Sequence, residues 1–449
     1  MIHLGLENQV PLILYVLMFA VFLLSVFWRP NLAIYFMVLA LPMQTARYKL
    51  LELPLGSHFL DILLVGAIIG LVVQRKLAIP RTSLNILLVL FAAFCFISLV
   101  GGSWFMHSQS PVWISAERFS SWKNYVEMFL YSGVIAASLR EKKQVVILVG
   151  VMCVALLLVN RNYYSTLSGR DLSHFSEDVR DAGLLGYAGV NGLGAFEAMM
   201  AVFLIGLFTF AQKTWLKAAI LAVVATCGYS LLFSYSRGGY VAFLAGIVAI
   251  GLVRSRWLLI AAAVLIVGWQ ALLPAAVQER IVMTRTDTDE GAQLDSSSEE
   301  RIELWRDAMD LFSANPILGA GFDTYSYLGR VGPYQDTHNY YVKVLAETGL
   351  IGFALYLFLL RKLFNAGTVL LFGTDDPFWR AIALGFLGML VCIVAADFFG
   401  DRWTYQQVDG YLWIILGCVL RGTLAVREAL PKPAASVDPA ARQAQAVTA

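Results

Sequence analysis

Long apolar runs restrict what this chain can fold into more than any other feature it carries. Thirteen of them fall near residues 10–28, 31–43, 57–74, 84–101, 122–139, 144–160, 190–211, 216–234, 238–253, 257–274, 341–363, 378–399 and 407–425. Most are about 18–23 residues long, enough for a helix rising about 1.5 Å per residue to cross a hydrocarbon core of about 30 Å. Outer-membrane barrel strands would alternate over segments of about ten residues instead. Composition agrees, because 59% of the 449 residues are hydrophobic and only 14% are charged, against roughly a quarter charged in soluble domains. The expected fold is all-α, a polytopic transmembrane helical bundle of twelve or thirteen spans, the short second run being the one in question.

Cys95, Cys153, Cys227, Cys392 and Cys418 all lie inside apolar runs. They read as small buried residues, with no disulfide or metal framework implied. No basic region and no small-residue cleavage site accompanies the first run, so no removable signal peptide is expected. The expected organisation is one transmembrane domain over 10–428 that includes a large loop at 275–340. A Pro/Ala-rich cytoplasmic tail at 429–449 follows and is expected to be disordered.

Lysine and arginine in short connections orient such a bundle. Arg75, Lys76 and Arg81 share one connection, and Arg140, Lys142 and Lys143 another. Lys213 with Lys217, Arg254 with Arg256, and Arg361 with Lys362 mark three more. These five alternate with the remaining connections, so all can be cytoplasmic together, with the C-terminus on the same side. The opposite face then receives 102–121, 161–183, 235–237, 275–340 and 400–406. The 275–340 segment holds twelve acidic residues and five arginines but no lysine.

Within "FSYSRGGYVAF" (233–243), Arg237 is the only charged residue between Ala218 and Val253. An arginine held in a bilayer costs a few kcal/mol unless it snorkels, pairs or lines a wet cavity. The topology places it at the tight outer turn between two spans, where Gly238 and Gly239 are expected to permit the reversal. In the long loop, "SSSEERIELWRDAMDLFSANP" reads as a helix capped by Ser296 or Ser297 and ended by Asn315-Pro316. Ile302, Trp305, Met309 and Phe312 form its apolar stripe, with Arg301 at the border and Arg306 on the acidic face. His338 stands just before the next span, where a histidine is ordinarily a cap or a packed polar residue.

Taken together, "SYSRGG" between two spans, a loop helix with Arg-x-x-x-Trp, "NPILGAGFDTY" and "HNYYVKVLAETGLIG" resemble the bacterial O-antigen ligase and polymerase superfamily. The resemblance covers roughly residues 180 to 425 in order. It implies an inner-membrane enzyme that transfers a polyprenyl-diphosphate-linked saccharide to an acceptor sugar on the periplasmic face, with no cofactor and no metal. By that resemblance Arg237 is the turn arginine, Arg301 the loop-helix arginine and His338 the His-Asn position. Arg180 and Asn191 match more loosely. The implied partners are the lipid-linked donor, a saccharide acceptor (a lipid-linked repeat or lipid A core), membrane lipid and polysaccharide-assembly proteins. No nucleic-acid partner is expected.

The chemistry suits these residue types. Breaking a sugar–diphosphate bond builds negative charge on the leaving group, and preorganised cations stabilise it. Arginines supply permanent charge in bidentate forks, which makes Arg180, Arg237 and Arg301 candidate diphosphate ligands. Neutral His338 is the candidate base for the acceptor hydroxyl. Direct attack would invert the anomeric configuration. Asn339, Asp401 and Arg402 are candidate acceptor-cleft residues, with a local salt bridge involving Asp397, Asp401 and Arg402 as the plainer reading. Tyr325, Tyr327, Tyr334, Tyr340 and Tyr341 are expected to form an interfacial belt, and Glu347 to be structural. The Asp287-Thr288-Asp289 motif is read as a decoy in a flexible loop. A flippase would place ionisable groups near mid-membrane, where Glu197 alone qualifies among the spans from 190 to 274, and a SEDS-type lipid II polymerase would carry other motifs. Polymerase and ligase are not separated by these motifs; polymerase is the favoured of the two.

Overall fold

The computed structural model describes residues 10–77, 82–107, 116–283, 285–288, 291–294, 296–331 and 336–429, with backbone alone at 285–288, 291–294 and 296–298. The expected serine cap of the loop helix, the Asp287-Thr288-Asp289 side chains, Tyr334 and the tail beyond 429 lie outside the described side chains. In order, the helices of the first half are α1 (Val10–Phe27), α2 (Asn31–Ala40), α3 (Gln44–Tyr48), α4 (Phe59–Val73), α5 (Ser83–Phe105), α6 (Glu117–Ser138) and α7 (Lys142–Leu167). They are followed by α8 (Gly189–Phe208), α9 (Thr214–Phe233), α10 (Arg237–Val253), α11 (Arg256–Val267), α12 (Trp269–Leu272) and α13 (Ala275–Val282). A short antiparallel hairpin, β1 (Arg285–Thr288) and β2 (Gly291–Leu294), precedes α14 (Ser296–Ala314), α15 (Tyr325–Leu328), α16 (Tyr340–Gly373), α17 (Pro377–Ala396) and α18 (Gln406–Ala429).

Every apolar run is helical. Among the described residues, eight helical stretches are long and apolar enough to cross a membrane: α4 with the turn before it (Gly56–Val73), α5, α7, α8 with the turn before it (Gly183–Phe208), α9, α16, α17 with the turn after it (Pro377–Phe399) and α18. The other five runs fall short for physical reasons. Helices α1, α2, α10 and α11 are shorter than eighteen residues in their apolar stretch, and α6 carries Glu117, Arg118, Lys123 and Glu127. The protein is a polytopic helical bundle.

Helices α8, α17 and α18 form its most enclosed part, and small residues let them approach closely. A Cβ on Gly206 of α8 would lie 2.7 Å from Gly385 Cα of α17, and one on Gly388 would lie 2.6 Å from Val202. The basic connections gather at one end. Arg140 donates to the Lys76 carbonyl at 2.8 Å, Lys142 pairs with Asp376, and Arg254 and Arg380 both sit over the Phe210 ring. The expected loop after residue 363 is instead helix, since α16 continues to Gly373, and Lys362 bonds Ser83 at 3.2 Å from within it.

At the opposite end, α16 is broken. Gly349 adopts φ 63°, ψ −166° inside the helix. The break frees backbone groups, and the segment after Pro316 takes them up. Ala320 and Gly321 donate to the carbonyls of Ala346 and Glu347, while Leu350 and Ile351 donate to those of Pro316 and Ile317. Side chains at Gly319 or Gly349 would overlap the facing backbone. Glu347 completes the joint by accepting from the N–H groups of Asp323, Thr324 and Tyr325 at 3.0, 3.1 and 3.0 Å. The motifs "NPILGAG" and "AETGLIG" are thus two halves of one backbone contact, and Glu347 is structural.

Gly349→Ala is expected to cost about 1–3 kcal/mol for its backbone alone, with the overlap adding to it. The midpoint of thermal unfolding in detergent should fall accordingly. Gly373→Ala, where an added Cβ would meet nothing, should leave that midpoint in place.

Candidate active site

The site is built on the joint just described. Helix α14 lies against it through Leu304, Ala308 and Leu311, which bury themselves against Ala320, Tyr325 and Ala346. This is a correction to the expected stripe: Met309 is 37% exposed and the buried face is turned toward Leu304. Short side chains at 308, 320 and 346 let the backbones approach, so the helix settles on them rather than on its bulkier residues. Trp305 Nε1 then donates to the Thr337 carbonyl at 3.0 Å, tying the helix that carries Arg301 to the segment that carries His338. Asp307 on the same helix accepts from Arg330 and from the Tyr325 hydroxyl.

His338 stands between two fixed residues. The Thr337 hydroxyl donates to the Asn339 carbonyl at 2.8 Å, and Asn339 caps α16 by accepting from Tyr341 and Val342 N–H. Asn339 is therefore a helix cap and only 7% exposed. His338 itself has φ 52°, a left-handed conformation uncommon outside glycine, at which histidine is nonetheless enriched. Its side chain is 36% exposed, with Nδ1 3.6 Å from Asp336 Oδ2. Burial holds the imidazole below its ordinary pKa; Asp336 opposes this, and the Arg301 and Arg402 guanidiniums reinforce it. The histidine, the loop-helix arginine and Arg402 thus occupy one electrostatic neighbourhood.

Arg402 is 6% exposed. Its Nη1 donates to the Asp401 carbonyl at 3.2 Å, and its backbone N–H donates to Asp397 Oδ1 at 3.0 Å. No carboxylate pairs with its guanidinium among the described residues. The expected local salt bridge forms elsewhere, because Asp401 pairs with Lys343 at 2.9 Å and also accepts from Thr404. Burial works against that carboxylate, but the Lys343 ammonium and the Thr404 bonds hold Asp401 below the usual range. Arg402, grouped in sequence with an acceptor cleft, stands instead with His338 and Arg301.

Arg237 is the first residue of α10, at the expected turn. The reversal is made by Tyr235, at φ 53°, and not by the two glycines, which are helical. Those glycines serve packing: a Cβ on Gly238 would meet Phe399 at 2.8 Å, and one on Gly239 would meet the Gly194 backbone at 2.9 Å. The N-terminus of α10, which carries Arg237, is thereby docked on Phe399. Arg180 lies in a second basic group. It donates to Asn191 at 3.2 Å and pairs with Glu177 at 2.9 Å, while Arg280 reaches the other oxygen of Glu177 at 3.4 Å. One carboxylate thus bridges two guanidiniums. Arg280 also covers the Phe175 ring, docking the 168–182 loop on α13.

Of the tyrosines, Tyr325 and Tyr340 are buried, and Tyr341 donates to the Val394 carbonyl at 2.6 Å. These three pack within the fold, while Tyr327 is 43% exposed. Sequence reading also passed over Arg118 and Lys343. Arg118 donates to the carbonyls of Leu99, Phe322 and Asp323 and to the hydroxyls of Ser103 and Thr324. It was expected in the outer segment 102–121, and the structure places it in the first turn of α6.

Residues 221–357 match the O-antigen ligase family model. The matched segment contains Arg237, Arg301, His338 and the joint that holds them. It supports the O-antigen ligase and polymerase superfamily, and with it an O-antigen ligase or polymerase type of function in a multi-pass bacterial membrane protein. No curated protein matches the chain.

His338 is expected to titrate below pH 6.5, read as the midpoint of its reaction with diethyl pyrocarbonate against a His338→Gln control. Arg402→Gln should raise that midpoint, because it removes a cation that disfavours imidazolium. Asp336→Asn should lower it. A midpoint above 6.5, or one that Arg402→Gln leaves in place, would contradict the geometry.

Proposed function

We propose that this chain is an inner-membrane glycosyltransferase that moves a saccharide from a polyprenyl diphosphate carrier to an acceptor sugar on the periplasmic face. The observation that carries this reading is the grouping of His338 with Arg301 and Arg402 inside and beside the family-matched segment. Arg237 and Arg180 stand at neighbouring turns of the same end. In the reaction the acceptor hydroxyl oxygen attacks the anomeric carbon, the bond from that carbon to the diphosphate oxygen breaks, and the hydroxyl proton passes to the neutral His338 imidazole. The polyprenyl diphosphate leaves with the bonding electrons, and one displacement inverts the anomeric centre. Arg402, buried and without a carboxylate partner among the described residues, is the cation best placed to meet that charge; Arg301 and Arg237 complete the clamp.

Two products fit the same chemistry. As a polymerase, the chain joins lipid-linked repeats of an O-antigen or exopolysaccharide; as a ligase, it moves the finished chain to lipid A core. The motifs serve both. Deleting the gene and resolving lipopolysaccharide and secreted polymer by gel distinguishes them. A single-repeat band or missing secreted polymer identifies a polymerase; bare core with long chains on the carrier identifies a ligase. His338→Ala and Arg237→Ala should fail to restore the wild-type pattern. Arg402→Ala should lower turnover by about 10²–10³-fold, as removal of a preorganised charge-stabilising donor does. Unchanged glycans in all of these strains would sink the reading.

A further inference from the structure

Two polar cavities lie side by side between the N-terminal helices and the α17–α18 connection. The first, about 190 Å³, is bounded by Asp323, Lys343, Asp401 and Tyr405; the second, about 210 Å³, by Gln44, Arg47, Asp61 and Lys123. Both are lined by the same three residues, Asn124, Tyr187 and Gln406, so they form one cleft pinched at its middle. Its combined size falls among small-molecule sites, roughly 300–1,000 Å³. The inner wall ends at Asp401, one residue from Arg402, and at Lys343, one and a half turns beyond His338.

The lining chemistry differs from that of the arginine crevice. Most of the charge here is matched: Lys343 pairs with Asp401, Lys123 sits between Asp61 and Glu127, and Arg47, with no ion pair among the described residues, donates to the Leu41 carbonyl. Where the two cavities meet, Asn124, Tyr187 and Gln406 add amide, hydroxyl and aromatic groups. Tyr187 is 68% exposed, and its ring tilts against Tyr405 at 6.0 Å between centroids. The pair offers an apolar face edged by hydroxyls, the shape that the C–H face of a sugar ring covers. Gln406 is held by its Nε2 donating to Tyr131 at 2.6 Å and to Glu127 at 3.3 Å. Glu127, 7% exposed, lies behind the cleft wall and holds two lining residues, Lys123 and Gln406, in place.

We propose that this cleft, between α3, α6 and the 183–188 turn on one side and the 401–407 segment on the other, holds the acceptor oligosaccharide and feeds its terminal hydroxyl toward His338. The proposal rests on the glycosyl-transfer reading above and adds to it the site and chemical class of the acceptor. Donor diphosphate and acceptor sugar then occupy different surfaces, one cationic and one uncharged overall, separated by the Asp401–Arg402 step. Residues outside the family-matched segment supply most of the acceptor surface.

The test uses Leu51→Cys protein in lipid nanodiscs, labelled by a membrane-impermeant maleimide. Leu51 lines the cleft and is 50% exposed, so the substitution leaves the core and the tyrosine pair untouched, and four of the five native cysteines are buried. Three probes are added separately: oligosaccharide released from the host's polyprenyl-linked pool, core oligosaccharide released from its lipid A, and a sugar-free polyprenyl diphosphate. One of the two oligosaccharides should slow labelling at least fivefold, and Gln406→Leu in the same protein should abolish that protection. Protection by the repeat oligosaccharide indicates a lipid-linked acceptor; protection by the core oligosaccharide indicates lipid A core. Protection by polyprenyl diphosphate alone, or by none of the three, overturns the proposal. If His338→Ala also leaves glycan transfer intact, the glycosyl-transfer reading falls as well; if it abolishes transfer, only the assignment of the cleft falls.

Discussion

A single carboxylate, Glu347, organises the loop end of this protein. It accepts three consecutive backbone N–H groups, of Asp323, Thr324 and Tyr325, at the point where α16 is interrupted. Buried polar groups are tolerated only when they are matched, and here matching creates the architecture. The interruption at Gly349 would leave orphan amides and carbonyls, and the 316–321 strand of chain supplies their partners. Arg118 then binds the carbonyls that this turn directs away from α16. A loop that would otherwise be loosely attached becomes continuous with the bundle.

Arg301 and His338 both hang from that joint. Helix α14 is seated on Ala320 and Ala346, which sets the height of Arg301. Trp305 reaches the Thr337 carbonyl, and Thr337 and Asn339 fix the chain on either side of His338. Sites held by packed helices and paired backbone keep their geometry better than sites on free loops. The left-handed conformation of His338 fits this pattern: strain at one residue persists where the surroundings over-determine it.

Charge is distributed unevenly over the same face. Arg180 and Arg280 share Glu177, and Lys343 is neutralised by Asp401. Arg402 keeps its charge, buried and supported by a backbone carbonyl. In a site of low dielectric a cation in that position acts strongly on both an anionic ligand and a nearby imidazole. In the proposed reading the same residue adds to the burial that lowers the His338 pKa and receives the leaving diphosphate. The glycine contacts of α8, α10 and α17 make the scaffold beneath it dense: Gly206 against Gly385, Gly238 against Phe399. Docking of α10 on the segment before Arg402 depends on that close approach.

Much of this was legible in the order of residues. Apolar run length determined the helices, because a buried backbone must satisfy itself within its own segment. The alternation of basic connections foretold their gathering at one end, and the motifs around Arg237, Arg301 and His338 pointed to the segment that the family comparison recovers. Local pattern failed where the answer lay in a partner distant in sequence. The loop helix turned its small residues inward because Ala320 and Ala346 wait there, and Tyr235 made the turn because Gly238 and Gly239 were needed against Phe399 and Gly194. Arg402 and Asp401 are adjacent in sequence yet serve different surfaces, since Lys343 captures one and leaves the other. Pairing, burial and the choice among competing partners are properties of three-dimensional proximity, and only the folded chain decides them.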